Sequence, residues 1–118
     1  MATPFERLGG QGAVDALIDQ FYAKLLVDTR MRPRFEAGDL NLIKGGQKMF
    51  WAKLLGSTEA TFDKDMRDIH TGLHVGEDEY EYTVSILVQT AREMHVPEDL
   101  VALIKQLADA QADVIVGY

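Results

Sequence analysis

The sequence contains no cysteine. That absence removes disulfides, thiolate zinc sites, iron–sulfur clusters and cysteine nucleophiles together, and it is compatible with a reducing compartment. Basic residues are few: twelve Lys and Arg stand against nineteen Asp and Glu, for a net charge of −7. An acidic chain repels phosphate backbones, which argues against nucleic-acid binding. No apolar run approaches the length a bilayer demands, and residues 1–10 lack the apolar centre of a signal peptide. The expectation is a cytoplasmic protein that neither enters membranes nor binds nucleic acid. Nor is there a GxGxxG, a P-loop, a GxSxG or an HExxH motif, so nucleotide-binding, serine-hydrolase and zinc-protease chemistry lack their signatures.

What remains is a chain of 118 residues, 47% hydrophobic. That is enough apolar matter for a core, and the length suits one compact domain spanning residues 1–118. A domain this short buries a modest fraction of its surface, so a large apolar ligand at its centre would help. The chain reads as helices separated by short breaks. Thr3-Pro4-Phe5-Glu6 opens the first with a cap, a proline at the first helical position and a capping-box glutamate, and Gly9-Gly10 ends it. Apolar residues at Val14, Leu17, Ile18, Phe21, Tyr22 and Leu25 recur at helical spacing and predict a helix over residues 11–27. Pro33 marks a break with one helical turn near Met31. Further helices are expected over 40–55, 64–73, 77–94 and 97–116, with the last corner at Val96-Pro97. No segment alternates as a strand does. The fold class is all-α.

Several polar residues sit within apolar stripes. On the 40–55 helix, Ile43, Gln47, Phe50, Trp51 and Leu54 share one face, with Lys44 and Lys48 beside it. Gln47 is either a partly exposed residue at the edge of a core face or a polar group aimed at something bound in an apolar pocket, because a buried amide without partners is costly. Met66, His70 and Leu73 form another stripe, in which His70 is either a satisfied core histidine or a ligand. His70 and His74 stand at metal-pair spacing, with Glu77 or Asp78 as a conceivable carboxylate, but Gly72 and Gly76 argue against continuous helix through them. Tyr22 faces inward beside Phe21, with its oxygen either in water or needing a partner. Phe35, after Pro33, reads as an aromatic anchor.

Taken in order, these pieces resemble the group I truncated haemoglobins over essentially the whole chain. The segments that carry the likeness are Phe5-Glu6-Arg7-Leu8-Gly9-Gly10, Phe21-Tyr22, Pro33-Arg34-Phe35, Lys44-Gly45-Gly46-Gln47 with Phe50, and Met66-Arg67-Asp68-Ile69-His70. The resemblance implies a truncated-globin, two-over-two helical sandwich around haem b. His70 becomes the proximal iron ligand, and Phe35, Ile43, Lys44, Gln47, Phe50, Trp51, Met66 and Leu73 become residues lining the haem. Tyr22 and Gln47 become the distal pair that meets a diatomic ligand. Ile43 stands where other globins often carry a polar residue, and Gly46 where some relatives carry a histidine or lysine, so a histidine ligand on the distal side is not expected. Trp51 is larger than the residue usual at a position linked with a ligand tunnel in some members. The implied function is reversible binding or transport of dioxygen, with nitric oxide and carbon monoxide as further ligands. Dioxygenation of nitric oxide is an accompanying expectation, and it requires an external electron donor because no flavin or nicotinamide motif is present. The alternatives are a non-catalytic gas sensor or store and, from a different class, a haem-free helical interaction domain.

Overall fold

The structure is a computed structural model that describes residues 2–35, 38–60 and 75–116. Six α-helices and one 3-10 turn account for most of them: α1 (Pro4–Leu8), α2 (Gln11–Val27), the turn Arg32–Arg34, α3 (Leu40–Leu54), α4 (Glu77–Glu93), α5 (Glu98–Ala110) and α6 (Ala112–Ile115). Among the described residues the only β-type pairing is an isolated parallel bridge between Val75 and Val116. None of these helices is long and apolar enough to cross a membrane. Two compact units divide the chain, Met1–Phe62 and Asp63–Tyr118. The expected helix over 64–73 lies outside the described residues, and with it Met66, His70 and Leu73.

In the first unit, local chemistry sets each boundary. The Thr3 hydroxyl accepts from the Glu6 backbone N–H at 3.1 Å and donates to the Glu6 carboxylate at 3.2 Å. The cap therefore forms as expected, although the glutamate answers the threonine hydroxyl. Gly9 and Gly10 end α1 at φ +126° and +79°, a region open to glycine at little cost. Asp28 caps the next break, its carboxylate accepting from the N–H groups of Arg30 and Met31. Asp39 opens α3 by accepting from Leu42 N–H at 3.2 Å. The expected stripe of α2 is its buried face: Val14, Leu17, Ile18, Phe21, Tyr22 and Leu25 all lie in the core. This face packs on α3, which buries Phe50, Trp51 and Ala52.

Helix α1 is tied to the far end of α3. Phe5 N–H donates to the Leu55 carbonyl at 2.8 Å, and Gly56, at φ +108°, brings its backbone against Thr3. A Cβ on Gly56 would lie 3.2 Å from the Thr3 Cβ, so glycine is required there twice, by conformation and by space.

In the second unit, α4 begins with Glu77, Asp78 and Glu79, which suit the positive end of a helix. Its buried side chains, among them Leu87, Thr90 and Ala91, and those of α5, Leu100, Val101, Ile104 and Ala108, form a core where the two helices pack. Thr90 is wholly buried and satisfies its hydroxyl on the Ile86 carbonyl at 2.7 Å. The corner between the helices is made by His95 at φ +62°, and Pro97 caps α5 from just outside it. The single helix expected over 97–116 is broken at Gln111. There the N–H turns back to Ala108 at 3.1 Å, and Val116 then leaves helical geometry to pair with Val75.

Candidate functional site

The first unit gathers most of the residues expected to face a ligand. Tyr22 lies on the buried face of α2 and is only 6% exposed. Two aromatic edges fix its ring: Phe21 at 5.2 Å between centroids and 68° between planes, and Phe35 at 5.5 Å and 82°. Edge-to-face packing of this kind holds an aromatic plane in one orientation. Phe35, reached through the Arg32–Arg34 turn, thus acts as the anchor its sequence position suggested. The Tyr22 hydroxyl has no hydrogen-bond partner among the described residues. Burial pushes its ionisation far above that of a free phenol, so the group stays a neutral donor.

No described side-chain oxygen or nitrogen is both wholly buried and unpartnered. The Tyr22 oxygen, with no partner among the described residues, is therefore nearly but not wholly enclosed. A donor so placed, with a fixed ring and an uncommitted hydroxyl, is suited to a small polar ligand.

Helix α3 contributes the remainder. Gln47 is half-buried, and its amide likewise has no hydrogen-bond partner among the described residues. Ile43 is also half-buried and packs toward the loop before α3, where a Cβ on Gly38 would come within 3.1 Å of its Cδ1. Phe50 and Trp51 are 8% and 5% exposed and meet edge to face at 6.1 Å. Helix α3 thus carries buried aromatic surface at Phe50 and Trp51 beside Gln47, whose amide is uncommitted among the described residues. Lys44 does something the sequence did not foretell. Its ammonium lies 3.2 Å from Asp19 Oδ1 on α2, and Lys48 reaches the same oxygen at 3.0 Å. The hydrogen bond from Lys48 is the main cause holding the Asp19 carboxyl below its usual range, with burial opposing it and Lys44 adding to it.

Of the remaining expected site residues, His70, Met66 and Leu73 fall outside the described residues, as does the His70–His74 pair. Among the described residues no group of three or more histidines, aspartates or glutamates is placed to hold a metal.

Comparison with known proteins accords with this arrangement. A family model described as bacterial-like globin matches residues 3–115. The group 1 truncated hemoglobin GlbN of Synechocystis sp. is 34% identical over 116 residues, spanning 95% of this chain and 94% of its own. The group 1 truncated hemoglobin of Tetrahymena thermophila is 29% identical over 99 residues, or 84% of this chain and 82% of that protein. Among solved structures, the truncated hemoglobin of Tetrahymena pyriformis in its Fe(III) form has a TM-score of 0.92 at 25% identity, covering 99% of this chain and 100% of the other. The 2/2 hemoglobin of a Synechococcus species, crystallised in the cyanomet state with covalently attached heme, has a TM-score of 0.88 at 28% identity, covering 97% and 98%. The chain therefore belongs to the bacterial-like globin family and, within it, to the group 1 truncated haemoglobins with their two-over-two helical fold.

Proposed function

We propose that this chain binds haem b noncovalently through His70 and thereby binds dioxygen and other diatomic gases reversibly. The observation that carries the reading is Tyr22, an enclosed phenol whose hydroxyl is uncommitted among the described residues. When bound, haem supplies an iron with one coordination position open to a gas.

The protein's own groups do the rest. His70 would hold the iron through one ring nitrogen, and its other nitrogen would be fixed in one tautomer by donating to a backbone carbonyl, for which that of Met66 is the candidate. Tyr22 Oη donates a hydrogen bond to the diatomic ligand. Gln47 Nε2 donates either to that ligand or to the phenol oxygen. Phe35, Ile43, Phe50, Trp51, Met66 and Leu73 would line the haem with apolar surface and keep bulk water from the iron. Lys44, steadied by Asp19, would also contribute to holding the haem. Dioxygenation of nitric oxide to nitrate suits the same donors and requires an external electron donor.

An absorption spectrum tests the proposal directly. Protein expressed with haem supplied should show a Soret band that converts to a distinct carbon monoxide form on reduction. His70→Gly should lose the band, and added imidazole should restore it. Acidified butanone should extract all the haem from the wild type, because attachment is noncovalent. Wild-type protein without a Soret band would refute the reading and favour a haem-free helical domain.

A further inference from the structure

Asp19 has no opposite charge within reach on its own helix, where the positions three and four residues away are Ala16, Asp15, Tyr22 and Ala23. Lys44 and Lys48 are in the same position on α3: their neighbours at those spacings are Leu40, Asn41, Gln47, Gly45, Trp51 and Ala52, together with each other. Among the described residues the three charges are satisfied only across the helix pair, one carboxylate oxygen of Asp19 taking both ammonium groups. Both lysine side chains are about three-quarters covered, which is unusual for residues that favour solvent. Their stems lie along the seam between α2 and α3, so the pair is set in place by packing as well as by charge.

The placement of this bridge is specific. At about 100° per residue, Asp19 lies about 60° around α2 from Tyr22, on the side away from the core stripe. Lys44 and Lys48 lie about 60° and 100° around α3 from Gln47. One ion bridge thus joins the flank beside Tyr22 to the flank beside Gln47, and Lys44 and Lys48 bracket Gln47 along the helix. The geometry points to Asp19 as a positioning residue for the distal pair: by holding Lys44 and Lys48 it sets the rotation of α3 against α2, and so the aim of Gln47 toward the ligand that Tyr22 holds. This rests on the gas-binding reading above. A helix can turn about its axis by a few degrees at little cost in burial, yet a hydrogen bond weakens steeply once its angle departs from linearity. A charged link at the seam therefore acts on ligand release more than on stability.

Asp19→Asn removes the charge at constant shape and, at a half-exposed position, leaves folding intact. In the carbon monoxide complex of Asp19→Asn, the infrared C–O stretch should shift or split as the distal field changes. Dioxygen release should quicken about three- to tenfold while carbon monoxide release stays within about twofold. The variant carrying both Lys44→Met and Lys48→Met should behave alike, and adding Asp19→Asn to it should change nothing more. Asp19→Glu should restore the wild-type band. In the haem-loaded protein, urea midpoints across the same set should be non-additive, which checks the bridge without reference to gas binding. Tyr22→Phe serves as the reference. If it moves the band and Asp19→Asn does not, the positioning role is wrong while the distal-pair reading stands. If neither variant moves it, the distal-pair reading fails and the role of Asp19 falls with it.

Discussion

Replacing Tyr22 by phenylalanine removes a single oxygen atom from an enclosed ring. The edges of Phe21 and Phe35 hold that ring from two sides, at 5.2 and 5.5 Å, and would hold a phenylalanine equally well. Because the hydroxyl has no partner among the described residues, its loss strands none of their groups. The stability of the gas-free protein should therefore change by less than about 0.5 kcal/mol, since the usual cost of an orphaned partner does not arise. Gas release should respond very differently. A hydrogen bond to a ligand that carries negative charge is worth roughly 1.5–3 kcal/mol, so dioxygen should leave about ten to a hundred times faster. Carbon monoxide carries little such charge and should leave within a few-fold of the wild-type rate. Gln47→Leu should act in the same direction more weakly, and the double variant should fall short of the summed effects because the two donors share one ligand. Burial raises the ionisation of Tyr22 far beyond the usual phenol range, so wild-type dioxygen release should also stay constant from neutral pH up to about pH 10. Stopped-flow release rates for the four proteins decide the matter. Equal responses to the two gases, strict additivity, or a marked loss of stability in Tyr22→Phe would refute the reasoning.

Three further outcomes follow from other parts of the structure. Tyr80 donates its hydroxyl to the Ala108 carbonyl, and burial, aided by the negative charge of Asp109, pushes its ionisation up to about 12. The unfolded chain gives up this proton near pH 10, so the stabilising contribution is complete below pH 10 and is lost as pH rises toward 12. Urea midpoints should fall over that window, and Tyr80→Phe should flatten the fall. His95 occupies the left-handed region at φ +62° with its side chain exposed, so His95→Gly should raise stability by about 1 kcal/mol in urea titration. Trp51 is the only tryptophan and is buried on the α3 face that bears Gln47. Removal of haem should raise its fluorescence markedly, and Trp51→Ala should speed gas entry if the indole narrows a channel, with unchanged association rates leaving it a packing role alone.

Helices were legible from the sequence where apolar periodicity and capping chemistry agreed. The α2 stripe and the Thr3 cap depend on side chains acting within one or two turns, and both appear at the expected residues. The break at Gln111 was not legible, because it is tied to a pairing between Val75 and Val116 that lies far apart in sequence. Tyr22 was readable as inward-facing from its spacing alone, whereas its want of a partner among the described residues could be seen only once their side chains were placed. Gln47 stayed ambiguous for the same reason, and its half-buried position is consistent with either reading of it. Asp19 was missed because it sits beyond the apolar stripe and looks like an ordinary solvated charge. A usable signal was present nonetheless: an acid and two lysines, each without an opposite charge at helical spacing on its own helix, must find partners on another.

The junction of Phe5 with Leu55 bears on the order in which the chain assembles. A helix of five residues cannot outlast its own nucleation cost, so α1 has no independent existence. The N–H of Phe5 and the carbonyl of Leu55, fifty residues apart, can meet only after the last turn of α3 has formed. Residues 4–8, synthesised before α3, thus find their place only after it. In native-state hydrogen exchange the Phe5 amide should report the fraying of the α3 terminus, opening whenever that distant turn opens.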